Sequence, residues 1–174
     1  MSNINTIYIM GVSGCGKSTV GKALSEKLRR PFKDGDTFHS PENVEKMKAG
    51  TPLNDSDRLP WLQAINNYAR LNQGYVIACS ALKRRYRSIL CEHLPNGASG
   101  RAVFILLNLK REVLQQRVNS RPGHFMPSTL LDSQLATLEL PSPDESNIVT
   151  VDANSENVDQ IVDTIVKTLA LICE

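Results

Sequence analysis

The eight residues "GVSGCGKS" at positions 11–18 restrict this chain more than any other stretch. They fit the pattern G-x-x-x-x-G-K-[S/T]. A short apolar run, "TIYIM" (6–10), precedes them and an amphipathic one, "STVGKALSEKLRR" (18–30), overlaps their end. A strand, a glycine-rich loop and a helix in that order make a phosphate cradle. Gly11, Gly14 and Gly16 let the backbone fold tightly and turn its N–H groups toward an anion, and the helix N-terminus adds partial positive charge. In such a loop Lys17 reaches the β- and γ-phosphates of ATP and the Ser18 hydroxyl ligates Mg²⁺. Val12, Ser13, Cys15 and Thr19 complete the nucleotide-binding set. Cys15 reads as a small residue filling the loop, and Thr19 as a core residue or a neighbour of the site.

The rest of the chain repeats the alternation that the motif starts. "TIYIM", "YVIACS" (75–80), "AVFILLN" (102–108) and "NIVTVD" (147–152) have the brevity and β-branched or aromatic content of buried strands, with "RPFKD" (30–34) a weaker fifth. Helical patterns fill 17–29, 57–72, 83–93, 110–120, 128–139 and 155–172, with Pro60 tolerated in a first turn. Strands alternating with helices imply right-handed crossovers and a mostly parallel α/β sheet covered on both faces. With 174 residues and no linker or repeat, a single domain spanning 1–174 is expected. "RPGHFMP" (121–127) interrupts two helices with two prolines and a glycine, as the tip of a lid would. The lid is placed at about 117–135.

A net charge of +2 gives no reason to expect a nucleic-acid partner. The opening residues lack the basic and apolar regions of a signal peptide, and "AVFILL" (102–107) is too short to span a bilayer. Four scattered cysteines without metal-ligand spacing read as reduced thiols. A cytoplasmic protein without membrane contact is the resulting expectation.

A phosphate cradle serves GTPases, ATPase motors and small kinases alike. No N-K-x-D guanine loop is present, and Ser80 ends "VIACS" where an ATPase strand would carry its metal-holding acid. Small kinases take that carboxylate from the end of the second strand, where "KDGDTFH" (33–39) supplies Asp34 and Asp36. Gly35 between them would let the chain turn. Asp34 is the metal-side or structural candidate, and Asp36 the candidate for orienting the proton of an attacking hydroxyl. His39 reads as a substrate contact or a satisfied structural histidine. Arg117 and Arg121 are four apart on one helix face entering the lid. They would stack on adenine and clamp phosphates, or else form a solvated basic face.

Two segments are candidates for reading the second substrate. In "LNDSDR" (53–58), Asp55 or Ser56 would cap a helix, and Arg58 would either take a carboxylate with two parallel hydrogen bonds or join a surface ion pair. In "SALKRRYR" (80–87), Lys83 and Arg87 lie four apart at the sheet edge where ligands bind, and could hold an anionic or polyhydroxylated substrate. Arg84 and Arg85 are expected to face solvent, and Trp61 to lie in the core.

The string "DGDTFHSPENVEKMKAGTPLNDSDRLPWL" (34–62) resembles the gluconate kinases of the shikimate-kinase-like P-loop group. The likeness continues through "CSALKRRYR" (79–87) and "RPGHFMPSTLLDSQLATLELP" (121–141), so it covers nearly the whole chain. It implies a three-layer P-loop NTPase fold with a five-stranded parallel sheet, arranged as in nucleoside-monophosphate kinases, with a helical lid. It also implies Mg²⁺-dependent transfer from ATP to the 6-hydroxyl of D-gluconate, and commonly a homodimer. On that pattern Lys17, Asp36 and Arg121 serve the transfer, and Asp34, His39, Arg58, Lys83, Arg87 and His124 surround the substrate. The turn at 152–155 would line the adenine pocket. "LPNGASGR" (94–101), and Leu135 where an aromatic is expected, depart from the pattern. Another small-molecule kinase, acting on shikimate or adenylylsulfate, and a P-loop binding protein without transfer chemistry are the alternatives.

Overall fold

A computed structural model describes residues 4–94, 102–120, 128–155 and 157–172. Five strands form one parallel sheet: β1 (Thr6–Met10), β2 (Phe32–Asp34), β3 (Val76–Ala78), β4 (Ala102–Asn108) and β5 (Ile148–Asp152), in spatial order β2-β3-β1-β4-β5. The central strand β1 pairs Ile7 with Val76 on one side and with Val103 on the other. Among the described residues seven α-helices surround the sheet: α1 (Lys17–Leu28), α2 (Pro41–Lys48), α3 (Asp55–Leu71), α4 (Arg84–Cys91), α5 (Arg111–Asn119), α6 (Ser128–Thr137) and α7 (Val158–Ile172).

The pleat of the sheet sorts the apolar residues into two cores. Ile7 and Ile9 of β1, with Val103, Ile105 and Leu107 of β4, pack against Leu24 of α1, Leu131 of α6 and Ile165 of α7. Tyr8 and Met10, with Phe104 and Leu106, face the other way onto Trp61, Leu62 and Ile65 of α3 and Leu90 of α4. Tyr8 stacks on Phe104 with ring centroids 4.8 Å apart. Helix–sheet–helix is therefore the three-layer arrangement expected, and it brings the loops after all five strands to one edge of the sheet.

Four local features differ from expectation. The strand expected at 75–80 is shorter, because only Val76–Ala78 keep ladder pairing on both sides. Helix α2 lies outside the helical patterns of the sequence: "SPENVEKMK" has no apolar stripe, and only Asn43 in the helix is buried. It forms because Ser40 accepts the Asn43 N–H at 3.2 Å and Pro41 occupies the first turn. Helix α3 is capped by Asn54 rather than by Asp55 or Ser56. Asn54 accepts the Asp57 N–H at 2.8 Å and Asp57 accepts the Asn54 N–H at 3.1 Å, a reciprocal capping box that leaves Asp55 free to pair elsewhere.

The fourth concerns Gly35, which opens a short 3₁₀ turn (Gly35–Phe38) directly after β2. Its φ lies outside the left-handed region, so turning is not the reason for glycine here. A Cβ at this position would come 2.5 Å from the Ala78 carbonyl oxygen of the neighbouring strand, a backbone atom with no freedom to move. Gly35→Ala is accordingly expected to destabilise the fold by about 1–3 kcal/mol through overpacking, measurable as a shifted urea midpoint.

Candidate active site

The phosphate loop sits between β1 and α1. Gly14 (φ +82) and Gly16 (φ +97) both adopt left-handed backbone, and Gly16 caps α1 without any side-chain acceptor. The first N–H groups of the helix are thus turned toward the loop's hollow with no carboxylate or hydroxyl competing for them, as an anion site requires. Cys15 is fully buried and packs under Gly11, where a Cβ would meet its sulfur at 2.8 Å; this is the loop-filling role expected of it. Thr19 is exposed rather than core. Lys17 Nζ donates to the Val12 carbonyl at 3.0 Å, and no described carboxylate lies within ion-pair distance of it.

The end of β2 meets this loop through Asp34. The Ser18 hydroxyl donates to Asp34 Oδ2 at 2.7 Å, while Asp34 Oδ1 accepts the Asp36 N–H at 3.0 Å. Asp34 therefore holds the turn with one oxygen and the loop with the other. Adjacent hydroxyl and carboxylate oxygens are the hard donor set that Mg²⁺ takes when phosphates and water supply its remaining ligands. Among the described residues no cluster of three His, Cys, Asp or Glu side chains forms a self-sufficient metal cage.

Asp36 points the other way, into a cavity of about 160 Å³ that it shares with Ser13, Lys17, His39 and Arg58. The His39 side chain is 3% exposed and lies flat on Trp61, with centroids 4.4 Å apart and planes within 10°. Burial holds its pKa below the ordinary histidine value, against the nearby Asp36 carboxylate, with Arg58 adding to the depression. His39 is thus neutral at neutral pH and its Nδ1 has no partner among the described residues. Trp61 is buried as expected, and its Nε1 also donates to the Gly35 carbonyl at 2.8 Å, fixing the turn that carries Asp36. Arg58 donates Nε to the Leu53 carbonyl at 3.3 Å, and its guanidinium lies 5.8 Å from the Tyr86 ring centre. No described carboxylate pairs with it, so its fork is available to a ligand.

Two expected substrate residues lie elsewhere. Lys83 pairs with Asp55 at 2.7 Å over the Tyr86 ring and does not line the cavity. Arg87 is buried on the far side of α4. Its Nε and Nη2 make a two-point pair with Glu145 at 2.8 and 2.7 Å, and its Nη1 donates to the Ala81, Leu82 and Glu139 carbonyls at 3.4, 3.3 and 3.1 Å. This is a structural staple and not a substrate grip. The spacing rule failed because Lys83 is the N-cap of α4, with extended backbone, so it does not share a helical face with Arg87. Arg84 and Arg85 are exposed as expected.

On the opposite side of the phosphate loop is a second cavity, of about 340 Å³, lined by Gly14, Gly16, Thr19, Arg117 and Ser155. Arg117 belongs to α5, and its guanidinium donates to the carbonyls of Ala153 at 3.1 Å, Ser155 at 3.0 Å and Cys15 at 3.4 Å. It is a fixed wall beside the loop, not a solvated cation. Of the lid placed at 117–135, residues 117–119 are in α5 and 128–135 in α6. Arg121 and His124 lie outside the described residues.

Sequence reasoning missed the neutral half of the first cavity. Thr51, Ser80, Ser133, Gln134 and Thr137 line it together with apolar Leu53 and Leu130. These residues carry no charge and come from three separate segments, so nothing in their spacing marks them. Burial pushes the thiols of Cys79 and Cys91 up to about 12 and about 11, so both stay protonated at neutral pH.

Comparison with known proteins shows the family. The family model for shikimate kinase covers residues 13–170. A probable gluconokinase of Xenopus tropicalis is 46% identical over 164 residues, covering 86% of each chain. The thermoresistant gluconokinase of Escherichia coli K12 is 44% identical over 151 residues, covering 84% of this chain and 83% of the other. A crystal structure of a gluconokinase from Sinorhizobium meliloti 1021 superposes with a TM-score of 0.87 at 44% identity, covering 98% of this chain and 94% of that one. A shikimate kinase from Acinetobacter baumannii shares the fold at a TM-score of 0.62 and 19% identity. By the extent of these likenesses the chain belongs to the gluconokinase family, within the shikimate-kinase fold group.

Proposed function

We propose that this protein transfers the γ-phosphoryl group of ATP to the 6-hydroxyl of D-gluconate, giving 6-phospho-D-gluconate and ADP. The observation that carries the reading is the convergence of Lys17, Asp36 and Arg58 on one cavity, with a second cavity across the phosphate loop. An acceptor and a nucleotide can then approach the loop from opposite sides, as in-line transfer needs. The acceptor cavity suits a polyhydroxylated acid. Arg58 offers a carboxylate two parallel hydrogen bonds, and Ser13, Thr51, Ser80, Ser133 and Thr137 offer hydroxyls to hydroxyls.

The residues divide the work by position. The loop amides and Lys17 hold the triphosphate, and Arg117 with the turn at 153–155 walls the nucleotide side. Ser18 and Asp34 would hold Mg²⁺, which when bound neutralises charge that develops on the phosphate oxygens. Asp36 orients and accepts the proton of the attacking hydroxyl, and His39 presents a neutral edge to the acid. Arg121 and His124 of the lid segment are assigned to closing over the phosphates. Most of the acceleration comes from positioning and electrostatics, since a loose transition state asks little of a base. Among the described residues no helix is long and apolar enough to cross a membrane. A cytoplasmic homodimer acting on a small molecule, without nucleic acid, completes the proposal.

ADP release is the test, with gluconate, shikimate and adenylylsulfate each offered alongside Mg·ATP. Release with gluconate alone supports the reading; release only with another acceptor, or with none, overturns it. Arg58→Ala provides a finer check. The KM for gluconate is expected to rise about 10–100-fold while that for ATP changes less than about threefold, reflecting the loss of a charged two-point contact. An unchanged gluconate KM would remove Arg58 from the acceptor site.

A further inference from the structure

Gln134 stands on α6, 121 residues from the phosphate loop, and bonds to it twice. Its Oε1 accepts the Ser13 backbone N–H at 2.7 Å and its Nε2 donates to the Ser13 hydroxyl at 3.1 Å. The amide orientation is dictated by the backbone, because an N–H can meet only the oxygen of the carboxamide. Next to Ser13, the Val12 carbonyl accepts both Lys17 Nζ at 3.0 Å and the Cys15 N–H at 3.3 Å. The Gln134 contact therefore pins the part of the loop on which the Lys17 ammonium rests.

The same helix forms a wall of the acceptor cavity through Leu130, Ser133 and Thr137. It is anchored at two other points, by fully buried Leu131 in the core and by Asp132, which pairs with Arg111 of α5 at 2.8 Å. A helix held in this way moves as one body, so a ligand that engages Ser133 or Thr137 acts on Gln134 as well. We propose that Gln134 is a positioning residue that couples occupancy of the acceptor cavity to the geometry of the phosphate loop. Gluconate seated against α6 fixes Gln134, Gln134 fixes Ser13, and the loop then presents its amides and Lys17 to the nucleotide in one arrangement. This inference rests on the gluconate reading above. It predicts that gluconate tightens nucleotide binding and that the coupling passes through one carboxamide.

The experiment measures the Kd of a non-hydrolysable ATP analogue by calorimetry, with and without saturating gluconate. It compares the native protein, Gln134→Met and Gln134→Glu. In the native protein gluconate is expected to lower the Kd at least about fivefold. Gln134→Met keeps side-chain length but has neither bond. Its ratio is expected to fall to about one and its kcat to drop about 10–100-fold, with the gluconate KM at saturating nucleotide rising by about the coupling factor that is lost, because coupling is reciprocal. Gln134→Glu keeps an acceptor for the Ser13 N–H, so it is expected to recover part of the coupling even though its charge weakens nucleotide binding overall. Two results overturn the proposal: a native protein that turns gluconate over without coupling, or a Gln134→Met variant that retains the coupling. Equal loss of coupling in both variants, together with a collapsed melting temperature, assigns Gln134 a purely structural role and overturns it too. A native protein that neither binds nor phosphorylates gluconate fails at the earlier step, and that outcome rejects the activity reading along with this one.

Discussion

Replacing Lys17 by alanine is expected to lower the kcat for gluconate phosphorylation on the order of 10³-fold, with little change in melting temperature. Both halves follow from the side chain's surroundings. Its protein bond is to a single carbonyl, Val12 O at 3.0 Å, so the folded state loses one ordinary hydrogen bond, about 0.5–1.5 kcal/mol. Its charge, by contrast, is not spent on any described carboxylate, and it lies in the cavity where Asp36 and Arg58 meet. A cation in reserve beside a phosphate cradle stabilises the charge that moves onto the transferring oxygens. Lys17→Arg is expected to fail nearly as badly, because a planar fork does not replace a compact ammonium inside a tight loop. Steady-state kinetics and a thermal melt check both halves together. A loss below about tenfold would mean that the transferred charge is neutralised elsewhere.

Arg87→Met is expected to be the most destabilising of the charged-residue substitutions, costing about 3–5 kcal/mol. The guanidinium side chain is 3% exposed and its partner Glu145 10%, so the variant leaves a carboxylate buried without its cation. The staple also ties α4 to the Ala81–Leu82 turn and to the segment that carries Glu139. Adding Glu145→Gln is expected to restore part of the loss, because the orphaned charge is then gone. Acid adds a second signature. The Arg87 guanidinium holds the Glu145 carboxyl below the usual glutamate value. A carboxyl whose folded pKa is depressed contributes stability above its unfolded pKa and loses it as pH falls through the folded value. Native protein is therefore expected to lose stability more steeply than the double variant on acidification into that window. Folded Arg87→Met should retain its gluconate KM, whereas a marked rise would return Arg87 to the substrate site.

The strands and the active-site charges were legible for different reasons. β1 and β4 coincide with their runs to the residue, because a strand buried on both faces shows as an unbroken apolar stretch with a polar residue only at one end, Thr6 or Asn108. The pairing order was not legible, since which strand neighbours β1 depends on crossovers that leave no mark within a strand. Helix α2 was hidden because its hold on the fold is its caps and not an apolar stripe, although Ser40–Pro41 was there to be read. In the site, Lys17, Asp34 and Asp36 could be placed because a loop and a strand end fix them near one another. Gln134 could not, because a neutral side chain on a distant helix acquires its role only when α6 packs beside the loop. Asp55 shows how one local error propagates. Read with Ser56 as a candidate cap, it does not suggest itself as the partner that takes Lys83 out of the cavity.

On the proposed function, the cavity of Lys17, Asp36 and Arg58 presents the terminal hydroxyl of gluconate to the nucleotide. A ³¹P–¹H correlation spectrum of the product formed from D-gluconate and Mg·ATP tests it directly. One phosphoester is expected, coupled to the methylene protons at carbon 6 and appearing in step with ADP. Phosphorus coupled to any other carbon's proton, or ADP formed with inorganic phosphate and no ester, would contradict it.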